Sequence, residues 1–317
     1  MLCQELEPVL ELESVFMKSF DAVIVGAGFA GMSAALQIAR ANHTVCVIDA
    51  GLSRSRFSSR LHGIFGFDGD TPHGVIGRAR AQLLEYPNVT FMDDSVVNTE
   101  GRDGNFSTIL KTGQVVHSRK MILAFGVSDV LPNLPGLYER WGKSVLHYSH
   151  QQGCEFYDRR LGVLQTSPSS VQKALIVAEW GQVTLFLNGG VAPSPDCLDI
   201  LAQRGVKVDP SMIEKLEGRG TELSTIVFMN EREVELDALY VSPQTKLNST
   251  AAEMLGCEIE DGLCGPIVKV DEFHLTSVAG VYAAGDITGT SRNATDACAE
   301  GIRAGGSLHR ALLCGLH

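Results

Sequence analysis

The feature that most restricts the fold is a glycine pattern near the start of the chain. The motif Gly26-Ala27-Gly28-Phe29-Ala30-Gly31 lies between an apolar run, Phe20 to Val25, and a segment with helical spacing, 31 to 41. A second apolar run, Thr44 to Ile48, completes a strand–helix–strand unit. In such a unit the first glycine permits a tight turn, the second lets a pyrophosphate approach the backbone, and the third lets the helix pack on the strand. The sequence therefore predicts an α/β dinucleotide-binding fold with Gly26, Gly28 and Gly31 in these roles.

An acidic residue supports this prediction. Asp49 directly follows the second apolar run, where a carboxylate would accept hydrogen bonds from ribose hydroxyls. The phosphates would then lie at the helix N-terminus, whose N–H groups point at the ligand.

Two later motifs indicate which dinucleotide is bound. Ala124-Phe125-Gly126 ends one predicted strand, and Val281-Tyr282-Ala283-Ala284-Gly285-Asp286 ends another. The second stretch resembles the second flavin motif of flavoproteins with two dinucleotide-binding domains. This resemblance implies that Asp286 binds the ribityl chain and that the turn Arg292-Asn293-Ala294 brings a helix N-terminus to the flavin, where it would stabilise negative charge. We therefore expect FAD, with Gly126, Gly285, Asp286, Asn293 and Ala294 among its ligands.

Strands and helices alternate a second time in the middle of the chain, which favours two doubly wound, Rossmann-like α/β domains. The proline-punctuated segment Leu131 to Gly136 marks the crossover. We expect an extension at 1–19, a first domain formed by 20–133 and 243–317, and a smaller domain at 134–242 that interrupts it.

Together these motifs resemble the low-molecular-weight thioredoxin reductase family, and within it the gliotoxin-type dithiol oxidases of secondary-metabolite pathways. The resemblance runs from about residue 20 to the end and also rests on Arg54 to Gly69, Leu84 to Val89 and Ala124 to Gly136. It implies a homodimer whose FAD domain is interrupted by a smaller domain that normally binds NADPH and carries redox cysteines. It also implies that Arg54 lies near the FAD phosphates, with a salt-bridged surface arginine as the alternative.

The redox cysteines of that smaller domain are missing. The branch pattern is close to H-C-x-x-C-H-G-x-E, but here Tyr148 and Gln151 replace the cysteines and Gln152 replaces the following histidine. Disulfide exchange needs an attacking thiolate and a second sulfur. The sequence therefore excludes disulfide reductase chemistry at this position.

The second glycine motif is missing as well. After the predicted strand Leu161 to Leu164 the chain reads Gln165-Thr166-Ser167-Pro168-Ser169-Ser170, whose side chains would fill the space of a pyrophosphate. Between Lys173 and Arg204 there is no Lys or Arg to bind a 2′-phosphate. NADPH binding is therefore not expected, and this domain would be a scaffold or a lid.

The segment expected over the flavin offers the catalytic candidates. His147 and His150 could act as bases, and Tyr148 could orient a substrate or act as an acid; structural or solvated roles are the alternatives for the histidines. Cys154 is either a small packed residue or a reactive thiol, and His62 and His73 are weaker candidates.

Three hypotheses follow for an FAD protein without its usual partners. The leading one is an FAD-dependent oxidase or dehydrogenase of a small organic molecule in secondary metabolism, with oxygen as acceptor. The second is a flavoenzyme reduced by a protein such as ferredoxin. The third is a non-redox protein in which FAD supports binding or a cyclisation.

Composition excludes several other classes of protein. A net charge of -11 argues against a nucleic-acid surface, which needs a basic stripe. No apolar run reaches the roughly 18–20 residues that span a bilayer, and neither a secretory signal nor a C-x-x-C pair is present. We therefore expect a reducing, cytoplasmic location, no metal site, and free thiols at Cys257 and Cys264.

Overall fold

The computed structural model describes residues 18–147, 153–289 and 293–314. Its fold is the expected one, two Rossmann-like α/β domains of which the smaller is inserted in the larger. The helices with α-helical hydrogen bonding are α1 Phe29–Arg40, α2 Pro72–Leu84, α3 Ser170–Val177, α4 Pro195–Gln203, α5 Ala251–Met254 and α6 Ala294–Cys314.

The larger sheet has seven strands, drawn from the beginning and the end of the chain. They are β1 Lys18–Val25, β2 Val45–Ile48, β3 Val89–Met92, β4 Val96–Arg102, β5 Asn105–Leu110, β6 Val115–Leu123 and β19 Val281–Ala283. Their order is β3-β2-β1-β6-β5-β4, with β19 paired to the last residues of β6. Strands β3, β2, β1, β6 and β19 are parallel, whereas β4 and β5 form an antiparallel hairpin on β6.

The smaller sheet has five parallel strands. They are β8 Val145–Leu146, β9 Arg159–Leu164, β10 Gly181–Phe186, β11 Lys207–Asp209 and β15 Ala238–Tyr240, in the order β11-β10-β9-β15-β8. Helix α3 packs on β9 and β10. The chain between β9 and β11 alternates strand and helix, as the sequence predicts.

Seven further strands form small antiparallel pieces that the sequence did not indicate. They are β7 Val127–Val130, β12 Ile213–Glu217, β13 Thr225–Phe228, β14 Glu233–Glu235, β16 Gln244–Leu247, β17 Ile259–Gly262 and β18 Gly265–Val268. Strands β12, β13 and β14 form one sheet, β7 pairs with β16, and β17 pairs with β18.

The larger sheet is buried on both faces. Ala22 and Ile24 of β1 pack into the cluster that holds α1 and α6, whereas Val23 and Val25 pack with Val268 and its neighbours on the other face. Because successive strand residues point to opposite faces, a sheet covered on both sides needs the continuous apolar run seen at the start of the chain.

Helices α1 and α6 cross very closely. A Cβ on Gly301 would lie 2.1 Å from the carbonyl oxygen of Ala30, and one on Gly305 would lie 2.9 Å from that of Ala34. The missing side chains therefore let the two backbones approach, which brings the N-terminus of α6 to the same sheet edge as that of α1.

Candidate functional site

A cleft of about 480 Å³ opens at the carboxyl ends of the parallel strands of the larger sheet, the usual place for ligands in doubly wound folds. Every predicted cofactor-binding residue except Gly31 lines it, namely Gly26, Gly28, Asp49, Arg54, Gly126, Gly285, Asp286, Asn293 and Ala294. Their contacts with FAD stay a prediction.

The three glycines of the first motif do different work in the fold. A Cβ on Gly31 would lie 1.9 Å from the carbonyl oxygen of Gly26, so α1 packs on β1 only with glycine at this position. Gly26 has φ +106°, and its Cβ would lie 2.3 Å from the carbonyl oxygen of Ala124. These two residues are therefore required by the backbone itself.

Gly28 has no such requirement. Its φ of -73° is open to any residue, and a Cβ there would meet no atom within 4 Å. It caps α1 without a side-chain hydrogen bond and faces the cleft. The space beside it, at a helix N-terminus that attracts anions, fits the pyrophosphate of a dinucleotide.

Asp49 is fixed beside the glycine loop. One of its carboxylate oxygens accepts a hydrogen bond from the backbone N–H of Ala27 at 3.2 Å. The acid therefore lies at the end of β2, next to the predicted phosphate site, as ribose recognition requires.

The N-terminus of α6 closes the other end of the cleft. The side-chain oxygen of Asn293 accepts a hydrogen bond from the N–H of Asp296 at 2.8 Å, which caps the helix. Buried Glu300, one turn further on, accepts hydrogen bonds from the N–H of Gly285 and the hydroxyl of Thr288, both at 2.8 Å. Helix α6 therefore holds the turn that carries Asp286.

Arg54 joins two carboxylates inside the cleft. Its Nη1 lies 3.1 Å from Oδ2 of Asp286, and its Nε donates to Oδ2 of Asp129 at 3.1 Å; Nη2 donates to the other oxygen of Asp129. Burial raises the pKa of Asp286, and the positive charge of Arg54 opposes that shift. Arg54 is thus salt-bridged, as in the alternative interpretation, but it lies in the cleft, next to the residue predicted to bind the ribityl chain.

Of the three predicted catalytic residues, only His147 lies among the described residues. It lines the cleft beside Trp141, with ring centroids 6.5 Å apart. Its Nδ1 lies 3.3 Å from the carbonyl oxygen of Val241. Tyr148 and His150 lie outside the described residues.

The weaker candidates lie away from the cleft wall. His62 forms a hydrogen bond through Nε2 with Oε1 of Glu155 at 3.2 Å, and His73 is exposed on α2. Three residues at the cleft were not predicted from the sequence, namely Asp129, Trp141 and Glu300. Asp129 comes three residues after Gly126, inside a segment that carried the family resemblance, so a signal for it was present.

The corresponding edge of the smaller sheet is filled by the side chains of this chain. Gln165 donates through Nε2 to the backbone carbonyl of Val191 at 2.7 Å. The hydroxyl of Thr166 donates to the backbone carbonyl of Ser242, also at 2.7 Å. The hydroxyl of Ser170 accepts hydrogen bonds from the N–H groups of residues 166 and 167, at 3.1 and 3.3 Å. The N–H groups that could have held a phosphate therefore already have acceptors.

Within 18–147, 153–289 and 293–314, no three His, Cys, Asp or Glu side chains form a group that could hold a metal ion. In the same ranges no helix has the length and apolar character needed to cross a bilayer.

The chain is similar to known proteins along most of its length. The Pyridine nucleotide-disulphide oxidoreductase family model matches residues 20–301. Thioredoxin reductase tcpT of Claviceps purpurea is 32% identical over 311 residues, covering 94% of this chain and 95% of that protein. Thioredoxin reductase sirT of Leptosphaeria maculans is 28% identical over 310 residues, covering 92% and 93%. A solved oxidoreductase from Agrobacterium tumefaciens superposes with a TM-score of 0.89 at 35% identity, covering 94% of this chain and 99% of that one.

These matches confirm the resemblance to thioredoxin reductase-like flavoproteins and the FAD cofactor expected from the sequence. The chain belongs to the pyridine nucleotide-disulphide oxidoreductase family, as an FAD-dependent oxidoreductase.

Proposed function

We propose that this chain is an FAD-dependent oxidase or dehydrogenase of a small organic molecule that passes electrons to oxygen and uses neither NADPH nor a redox disulfide. The observation that carries the proposal is the contrast between the two sheet edges. The larger edge is an open cleft lined by the predicted FAD residues, whereas the smaller edge is filled by polar side chains of the chain itself.

The residues around the smaller edge support the absence of NADPH. A dinucleotide there needs a backbone turn without side chains and unpaired N–H groups at the following helix. Gln165 and Thr166 instead bridge the turn to neighbouring loops, and Ser170 accepts from the turn's N–H groups. A pyrophosphate would have to break all of these bonds before it could bind.

The absence of a redox disulfide rests on sequence. Tyr148 and Gln151 stand where the branch has its two cysteines, and neither side chain can attack or resolve a disulfide. The simplest remaining source of electrons is then an organic substrate placed in the cleft.

His147 is the proposed base. FAD, when bound, supplies the acceptor for a hydride equivalent from substrate and is reoxidised by oxygen. A carbonyl oxygen only accepts hydrogen bonds, so the contact with Val241 places the proton of the neutral ring on Nδ1. Nε2 is then the basic nitrogen, and it takes the proton that the substrate loses when hydride leaves. Trp141 packs beside this ring, with the two ring centroids 6.5 Å apart.

The branch resemblance supports the wider setting of secondary metabolism and a homodimer, and the cysteine usage supports a cytoplasmic location. None of the described cysteines, at positions 46, 197, 257, 264, 298 and 314, forms a disulfide, which is compatible with a reducing compartment.

Anaerobic flavin reduction tests the proposal. Candidate small-molecule substrates, NADPH and a reduced ferredoxin are each mixed with the purified protein, and the loss of flavin absorbance is followed. We expect reduction by a small molecule, return of the colour in air with formation of hydrogen peroxide, and no reduction by NADPH. In His147→Gln, reduction by that substrate should slow by about 10²–10⁴-fold, the usual contribution of a positioned base.

His73→Gln is the matched control, because His73 is exposed and outside the cleft; it should reduce at the wild-type rate. Reduction by NADPH would refute the proposal. Reduction by ferredoxin alone would replace it with the protein-donor hypothesis, and function retained with a non-reducible flavin analogue would favour the non-redox one.

A further inference from the structure

The proposed base, His147, directly follows strand β8 and contacts Val241, which directly follows the neighbouring strand β15. Strands β8 and β15 are parallel, with Leu146 opposite Tyr240. The N–H of Val241 donates to the carbonyl of Leu146 at 2.8 Å, just beyond that pair. The carbonyl oxygens of His147 and Val241 lie just beyond this pair, and each accepts a hydrogen bond from a side chain of α3.

Lys173 supplies a donor to both. Its Nζ lies 2.6 Å from the carbonyl oxygen of His147 and 3.3 Å from that of Val241. Hydrogen bonds from an ammonium are stronger than those between neutral groups. One side chain of α3 therefore clamps the ends of both strands.

The same carbonyl of Val241 faces the imidazole of His147, at 3.3 Å from Nδ1. Lys173 thus holds both the backbone of the histidine and the oxygen that sets its tautomer. Both contacts affect the same imidazole. The contact with the His147 carbonyl fixes the position of the backbone that carries the ring, and the contact with the Val241 carbonyl fixes the oxygen that orients the ring.

The location of this lysine has no explanation in helix stability. Lys173 is the fourth residue of α3, close to the N-terminus, where the helix dipole disfavours a cation. Its ammonium is directed at carbonyls of the strand ends, in the region where a dinucleotide would approach the sheet.

We propose that Lys173 is a positioning residue for His147: its ammonium ties the β8 and β15 ends together and so keeps Nδ1 of the imidazole protonated and Nε2 directed to the substrate. The inference rests on the proposed function for its catalytic meaning. Its geometry can be tested without any substrate.

Nitrogen NMR of protein labelled with ¹⁵N-histidine reads the tautomer directly. The His147 signal is assigned by its loss in His147→Gln, among nine histidines in the chain. We expect the Nδ1-protonated form in the wild type and in Lys173→Arg, which keeps a cationic donor. In Lys173→Met, of similar length but without a donor, the signal should shift towards a mixture of tautomers.

Lys246→Met, at an exposed lysine on β16, is the control and should leave the signal unchanged. An unchanged His147 tautomer in Lys173→Met, in protein that still binds FAD and melts near the wild-type temperature, overturns the inference. If Lys173→Met does not fold, an altered tautomer in Lys173→Arg overturns it instead.

A double-mutant cycle then tests the link to catalysis. With a substrate that reduces the flavin, Lys173→Met should slow reduction at least tenfold, Lys173→Arg should restore most of the rate, and Lys173→Met should have no further effect on His147→Gln. Additive effects of the two substitutions would contradict a role through His147. If no small molecule reduces the flavin, the proposed function fails, while the NMR result still decides the position of the ring.

Discussion

At the scale of single residues, Gly28 is a glycine that we expect ligand binding to require and that the fold does not require. A Cβ there meets no atom within 4 Å, and serine is a better helix N-cap than glycine by a few tenths of a kcal/mol. We expect Gly28→Ser to keep or slightly raise the free energy of unfolding of FAD-free protein and to weaken FAD binding at least tenfold. Urea denaturation and a flavin fluorescence titration measure the two effects.

Gly31→Ser is the contrasting variant. Its Cβ would lie 1.9 Å from the carbonyl oxygen of Gly26, so it should destabilise the protein whether or not FAD is present. Wild-type FAD affinity in Gly28→Ser would mean that no phosphate lies at this helix end.

His274 gives stability a pH dependence. The residue is buried, its Nδ1 lies 3.1 Å from the carbonyl of Ala283, and Nε of Arg303 donates to its Nε2 at 3.1 Å. The ring is therefore neutral, and burial lowers its pKa below the ordinary value near 6.5. As the pH falls, the unfolded chain binds a proton at this histidine at a higher pH than the folded protein does. The contribution of His274 to the free energy of unfolding is therefore fully present above about pH 6.5 and is lost as the pH falls through the folded pKa.

His274→Asn tests this effect. Asparagine keeps an amide donor towards Ala283 and tolerates the φ of +61° at this position. We expect the free energy of unfolding to fall less steeply between about pH 6.5 and 5 than in the wild type, measured by urea denaturation at several pH values. The same slope in both proteins would count against a neutral, buried His274; His73→Asn should not change it.

The residues most predictable from the sequence were the glycines that the backbone conformation requires. Gly26 and Gly31 stand in a motif whose spacing follows from the geometry of a strand–turn–helix unit, so their positions could be foreseen. The roles of Glu300 and Lys173 could not be foreseen, because each acts through a contact with another element of the fold. A carboxylate or lysine on a helix carries no sequence signal for such a partner.

At the scale of elements, the crossing of α1 and α6 is a close backbone contact near the cleft. A Cβ on Gly301 would lie 2.1 Å from the carbonyl oxygen of Ala30, whereas one on Gly306 of the same helix meets nothing within 4 Å. We expect Gly301→Ala to lower the free energy of unfolding by about 2 kcal/mol or more and Gly306→Ala to raise it by up to about 1 kcal/mol.

Thermal and urea denaturation of both variants measure the difference. Because α6 also carries Asn293 and Glu300, Gly301→Ala should weaken FAD binding too. Equal stability of the two alanine variants would show that the helices can separate without cost.

The predictability of elements follows their burial. The strands around the first glycine motif are continuous apolar runs, and the structure places them within a few residues of the expectation; α1 begins at Phe29 rather than 31 because the helix starts directly after its cap. Strands β12 to β14 have only three to five residues each. Their pairing is decided by the tertiary fold, so their sequence gave no sufficient pattern.

At the scale of the whole molecule, ligand binding should separate the two dinucleotide regions. A ligand that binds only the folded state at 100 times its dissociation constant adds about 2.7 kcal/mol to the free energy of unfolding. We expect FAD to raise the melting temperature of FAD-free protein and NADPH at the same concentration to leave it unchanged. A rise with NADPH would show that the edge of the smaller sheet opens, and would contradict the proposed function.

The filled edge of the smaller sheet limits what a single substitution can do to ligand binding there. Gln165, Thr166, Ser170 and Lys173 each satisfy a different backbone group there. Replacing any one of them with the residue that a nicotinamide dinucleotide site needs would leave its backbone partner without a hydrogen bond. The other three side chains would still occupy the edge where the dinucleotide binds. We therefore expect no single substitution to give this domain NADPH binding, because several of these side chains would have to change together.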